Sequence, residues 1–250
     1  MTPNLEKFQV QCHKMTSKIA TLYKSTSTVF TYRDVAWLWR ERSPKVLHEA
    51  VGYYVKKGDL IRLTRGLFAK PIKPGSPLAK YDPLELAGKL ADLSHGPNKK
   101  TGRSIPPSYV SFETALLKAG ASYHQGKRLN LAELRRQTTF FVATHRSRTV
   151  GVDGRTYVFR KLKDSVLFNR SGLTVKNRWA MAGLERAFLD TLYLKSSYYF
   201  DFLTDLDWEK CFKLVSLYDN QSLVRRLKQY HRAYNEQIDY TKFKNQQPFG

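Results

Sequence analysis

The sequence predicts an α+β protein in two parts, and three observations predict it. Apolar residues recur at helical spacing in some stretches and alternate in others. A run of breakers at Pro71, Pro74, Gly75 and Pro77 separates a compact first block from a longer second one. The charge is lopsided, with 43 Lys and Arg against 21 acids and a formal net charge of +22.

The first block, residues 1–80, reads as three helices and a hairpin. Asn4 to Lys24 carries Leu5, Phe8, Cys12, Met15, Ile19 and Leu22 at spacings of three and four, the pattern of an amphipathic helix. Val29 and Phe30 make a short strand. Thr31-Tyr32-Arg33-Asp34 has the form of a helix start, with a Thr N-cap and an acid three residues on. Val35, Ala36 and Trp39 then face inward. Ser43-Pro44 restarts the chain as a second helix, a Ser N-cap followed by Pro where its missing N–H costs nothing. Val46, Leu47, Ala50, Val51, Tyr54 and Val55 form its apolar face, and Gly58 ends it. Leu60 to Thr64 and Leu67 to Lys70 alternate about Arg65-Gly66 as a hairpin. This order is that of a winged helix-turn-helix.

The second block, residues 81–250, mixes both periods. Asp82-Pro83 starts a capped helix, and 94–108 is a polar, basic loop. Tyr109 to Ser111 is a strand, and Phe112 to Lys118 a helix. Strand-like segments follow at 138–144, 148–150, 156–162 and 166–168. A long helix is expected over Ala180–Leu194, and two more over Trp208–Leu217 and Ser222–Tyr234.

Composition narrows the function. A sequence pI near 10.0 points to a polyanionic partner, with nucleic acid ahead of an acidic membrane surface. No apolar run approaches the roughly 18 residues of a membrane span. Cys12 and Cys211 stand far apart without CxxC spacing, which suits free thiols in a reducing cytoplasm. Phosphate-cradling glycine loops, HExxH and paired histidines are missing, so neither a metal nor a cofactor is expected and the chain does not read as an enzyme. Ser111 lacks a GxSxG context. Glu185 and Asp190 share one helix but point apart, one as a capping or bridging acid and the other as a surface acid.

The basic residues fall in two groups. Residues 1–81 hold fifteen bases against five acids, and residues 99–178 hold seventeen against four. In the first group Thr31, Arg33, Arg40, Arg42, Ser43, Lys45, His48, Tyr53, Lys56 and Arg65 lie on or beside the second helix of the motif. That helix enters the major groove of double-stranded DNA in helix-turn-helix proteins, N-terminal residues nearest the bases. Lys45 and His48 take those positions, Ser43 faces phosphate, and Arg65 reaches the minor groove or the backbone. In the second group Arg135, Arg136, Arg146, Arg148, Arg160, Lys161 and Arg178 belong to strand-bearing stretches, where alternation would set several on one exposed face. That face extends the DNA footprint or meets another polyanion such as RNA.

The order of motifs resembles the AbiEi antitoxins of type IV toxin–antitoxin (abortive infection) systems. The pieces that carry it are FTYRDVAWL, SPKVLHEAVGYYVKKGDLIRLTRGLFAKP, YDPLELAGKL, YVSFETALLKAG and RWAMAGLERAFLDTLYL, spanning roughly residues 28–195. Phe68 stands where the family's wing usually has Tyr, and the loop 94–108 looks like an insertion. The resemblance implies a bacterial repressor that binds repeats in its own promoter. It also implies a second domain that antagonises a nucleotidyltransferase-like toxin without a stable complex. A plain transcription regulator with a partner- or ligand-sensing domain is the alternative, and a nucleic-acid-processing enzyme the more remote one.

Overall fold

The computed structural model describes residues 18–73, 75–93, 108–119, 123–124, 127–128, 138–176, 179–195, 198, 200 and 203–246. The chain is a mixed α+β protein that divides into two compact units, Met1–Gly96 and Pro97–Gly250. No helix among the described residues is long and apolar enough to cross a membrane.

In the first unit a helix over residues 18–24 (α1) leads to strand β1 (Val29–Thr31), helix α2 (Tyr32–Trp39) and helix α3 (Pro44–Lys57). Strands β2 (Ile61–Thr64) and β3 (Leu67–Pro71) form a hairpin, followed by a short β4 (Ala79–Lys80) and helix α4 (Pro83–Leu93). β3 is the central strand. β1 pairs antiparallel on one side of it and β2 on the other, with a register shift between Arg62 and Thr64. Leu22, Phe30, Val35, Trp39, Leu47, Val51, Tyr54, Leu60 and Phe68 close one core beneath the three helices. The sequence-predicted helix before residue 18 lies outside the described residues.

The units part later than the proline-rich stretch suggests. α4 belongs to the first unit, and two acids hold it there. Glu85 Oε2 accepts from the Thr28 N–H at 2.9 Å and from its hydroxyl at 2.6 Å, while the Asp82 N–H donates to that hydroxyl at 3.0 Å. Lys89, 5% exposed, donates to Asp34 Oδ2 at 2.7 Å. These partners stand more than fifty residues earlier in the chain, so no local pattern announces them.

The second unit is built on a six-stranded sheet. Its strands are β5 (Tyr109–Val110), β8 (Thr139–Thr144), β9 (Arg148–Val152), β10 (Arg155–Lys161), β11 (Leu173–Lys176) and β12 (Trp179–Ala182), in the order β11-β12-β5-β8-β10-β9. A separate ribbon pairs β6 (Tyr123–His124) with β7 (Lys127–Arg128). After β8 the chain takes the outer position as β9, then returns between them as β10, parallel to β8 and antiparallel to β9. Phe141 and Ala143 face a core shared with α5 (Phe112–Lys118), α6 (Asp164–Phe168), α7 (Leu184–Leu194), α8 (Trp208–Leu214) and α9 (Gln221–Gln246).

Three expectations change here. Val166-Leu167-Phe168 lies in α6 rather than a strand, with Val166 and Leu167 buried. The helix expected from Ala180 starts at Leu184, because Trp179–Ala182 pairs with β11 and, at Met181, with Val110 of β5. Pairing overrides the helix preference of Ala and Met there. Asp190 is no surface acid: it is fully buried, as is Arg186 one turn before it.

The Asp190 carboxylate accepts from Ser111 Oγ and Tyr218 Oη at 2.6 Å each and from Tyr109 Oη at 3.2 Å, and Arg186 Nε lies 3.6 Å away. Arg186 also donates to the carbonyls of Val166 and Ser171 at 2.8 and 3.0 Å. Burial pushes the Asp190 carboxyl above its ordinary range, against the pull of Arg186 and the three hydroxyls. Three hydroxyl donors and a guanidinium converging on two oxygens make the surroundings of an anion. Asp190→Asn leaves the Arg186 charge buried without its counter-charge, so the second unit should lose about 3–5 kcal/mol. Replacing Arg186 and Asp190 together by Met and Leu should cost clearly less, as urea unfolding of the single and double variants will show.

Burial raises the pKa of Asp34, but hydrogen bonds from Lys89 and Thr31 and the Lys89 charge outweigh it and hold the carboxyl below its ordinary value. A depressed acid stabilises the fold fully above the unfolded value, about 4, and that contribution is lost as pH falls through the folded one. The urea midpoint of the first unit should therefore drop below about pH 4, and Asp34→Asn should remove that part of the slope.

Candidate nucleic-acid interface

The two helices that present the first basic group are set by local chemistry. Thr31 and Asp34 form a complete capping box: the Asp34 N–H donates to Thr31 Oγ1 at 3.1 Å and the Thr31 N–H to Asp34 Oδ2 at 2.8 Å. The Thr31 hydroxyl is thus engaged in the cap and 8% exposed, which removes it from the contact set. Ser43 caps α3, accepting from the Val46 N–H at 3.4 Å, with Pro44 in the first turn. Gly58 closes α3 in the left-handed region at φ 79°.

Between the helices Arg40 is the C-cap of α2, also left-handed, at φ 52° and ψ 33°. Gly or Asn holds that conformation at least cost, and a long side chain there costs about 1 kcal/mol. The turn keeps an arginine in spite of it.

α3 buries Leu47, Val51 and Tyr54 and turns Lys45, His48, Glu49, Tyr53 and Lys56 outward. Val46, expected inside, is 44% exposed and joins that outer face. The His48 ring leans on Tyr32 at 4.3 Å between centroids, and Tyr32 meets Phe68 of the hairpin edge to face at 4.9 Å. Gly52 lies in the middle of the outer face. A Cβ added there meets nothing within 4 Å, so the protein's own packing does not require a glycine. A glycine inside a helix nonetheless costs roughly 0.5–1 kcal/mol against Ala.

The hairpin turn Arg65-Gly66 packs close to the body. Gly66 has φ 81°, and its Cβ would lie 3.5 Å from Leu93 and 3.9 Å from Tyr32. Arg65 is exposed at the tip. Arg62, which alternation alone did not single out, is exposed beside it with its guanidinium 5.7 Å from the Phe68 ring.

Three acids of this unit are turned to internal partners, while Glu49 is exposed among the cations of α3. Asp34 holds Lys89, Glu41 pairs with Lys18 at 3.2 Å and accepts from the Ser43 N–H at 3.1 Å, and Asp59 pairs with Lys57 at 3.3 Å. Among the described residues Arg33, Arg40, Arg42, Lys45, Lys56 and Arg65 are exposed and none has an ion-pair partner.

The second basic group does not gather on one face. Register places Arg148 opposite Phe159, its guanidinium 4.3 Å from that ring, on the side of the sheet that Lys161 shares. Burial lowers the Arg148 pKa. Arg160 sits beside Ala143 on the opposite side, because successive strand residues alternate. Arg146 is exposed in the turn between β8 and β9, and Arg135, Arg136 and Arg178 lie outside the described residues. Lys163 donates to the carbonyls of Tyr218 and Asp219 at 3.1 and 3.2 Å and closes a helical turn.

Ser111 follows a strand, and Phe112 makes a sharp turn at φ 54°, but the Ser111 hydroxyl is fully buried and bonded to Asp190.

No protein-family model matches the chain, and no curated protein does. Among solved structures the chain is similar to the crystal structure of the Rv2827c protein from Mycobacterium tuberculosis. The identity is 15%, with 86% of this chain and 75% of that one covered and a TM-score of 0.48.

Proposed function

We propose that the first unit is a winged helix-turn-helix that binds double-stranded DNA, with α3 in the major groove. The observation that carries this reading is the outer face of α3. It holds Lys45, His48, Tyr53 and Lys56 around a glycine that the fold does not need, next to a turn that keeps Arg40 at a conformational cost. A surface that must approach base edges closely explains the glycine, and a polyanion explains the unpaired cations. The α3 N-terminus with Ser43 then lies on phosphate, and Arg33, Arg42 and Arg65 flank it on the backbone.

The chain's role is that of an antitoxin and autorepressor. It binds repeats in its own promoter and antagonises a nucleotidyltransferase-like toxin without forming a stable complex. The support is the order of the motifs from residue 28 to 195, which is that of the AbiEi antitoxins, together with the basic first unit. The protein works in the cytoplasm, where both partners are found. Co-expression with the product of a neighbouring nucleotidyltransferase frame tests the antitoxin half: restored growth supports it, and continued growth arrest contradicts it.

Gly52→Ala separates packing from recognition. It should raise the stability of the first unit by roughly 0.5–1 kcal/mol while weakening duplex binding about tenfold. A variant that is stabilised and binds as before would refute the close approach. Lys45→Ala should shift base preference, whereas Arg65→Ala should weaken all duplexes to a similar degree and flatten the salt dependence by about one counterion. Binding of the two variants to randomised duplexes at two salt concentrations measures both effects.

A further inference from the structure

The outward side of α2 carries a feature that the duplex reading leaves unused. Trp37 is 66% exposed, although indole is among the most apolar surfaces a protein can show to water. Arg33 stands four residues before it on the same helical face, and Arg40, at the C-cap, and Arg42 line the same depression. Glu41 also borders that depression, but its carboxylate is held by Lys18 and the Ser43 N–H.

We propose that this stripe is a second nucleic-acid contact, one that stacks an unpaired base on Trp37 and grips the flanking phosphates with Arg33, Arg40 and Arg42. In a duplex the faces of the bases are hidden in the stack. A single strand or an extruded base offers a face to the indole and phosphates to the arginines, and each base stacked on an aromatic ring is worth about a tenfold change in affinity or more. A second copy of the chain would bring like charges together. A lipid surface would meet only one indole on an eight-residue helix whose other large apolar residues, Val35, Leu38 and Trp39, are buried or half-buried. The inference goes beyond the duplex reading, since nothing in it needs α3 to enter a groove.

The test uses the full chain and a fluorescein-labelled oligothymidine of about twelve nucleotides. Trp37→Ala should weaken its binding about tenfold, and Trp37→Phe should restore most of the loss. Trp39 and Trp179 are buried and Trp208 is half-buried, so acrylamide quenches Trp37 first. Saturating oligothymidine should protect that fluorescence. Equal binding by wild type and Trp37→Ala, or quenching that the oligonucleotide leaves unchanged, overturns the proposal. So does protection by vesicles of anionic phospholipid in place of the oligonucleotide. Gly52→Ala should leave oligothymidine binding untouched while lowering duplex binding, which keeps a failure of this inference apart from a failure of the groove assignment.

Discussion

The Asp34 carboxylate is the constraint on which the first unit depends. It caps the start of α2 through Thr31 and, in the same place, takes the charge of Lys89 from α4. A buried ion pair contributes little net stability against an apolar replacement, yet breaking one partner is costly. Its effect is therefore geometric, fixing the angle at which α2 leaves the sheet and hence where the turn at Arg40 and the outer face of α3 lie. The pair also shapes the electrostatics. Asp34, Glu41, Asp59 and Glu85 are all drawn to partners within the unit, which leaves Glu49 as the acid among the outward cations of α3. The strong positive field of the protein follows from where its acids went as much as from how many bases it has.

The second unit solves a different problem. Arg186 and Asp190 join α7 to β5 through Tyr109 and Ser111, and to the turn after α8 through Tyr218. Such a network rigidifies when every member is satisfied, and here each hydroxyl and carboxylate oxygen finds a partner. Its residues include Ser111 and Asp190, the groups that a search for catalytic chemistry would pick out, and both are bonded within the network.

What could be read from the sequence was local. Thr31 with Asp34, Ser43 with Pro44, and Gly58 are signals completed within a few residues, and the structure bears out each of these caps. What could not be read depends on partners far along the chain. Glu85 and Lys89 find Thr28 and Asp34 across more than fifty residues, which moves α4 to the first unit. Trp179–Ala182 has the composition of a helix and becomes a strand because β11 and β5 offer it pairing. Asp190 looks like a surface acid until tyrosines from two other elements reach it. At the candidate site the outward cations were legible from helical spacing. The exposure of Trp37, the left-handed arginine at position 40 and the open space above Gly52 required coordinates.

Chemical interference on duplex DNA from upstream of the protein's own reading frame tests the central claim most directly. If α3 reads the major groove, methylation of guanine N7 within each bound repeat will block binding, and phosphate ethylation will block it at the flanks of the same repeats. Interference from ethylation alone, spread evenly along the DNA and indifferent to N7 methylation, would contradict the account.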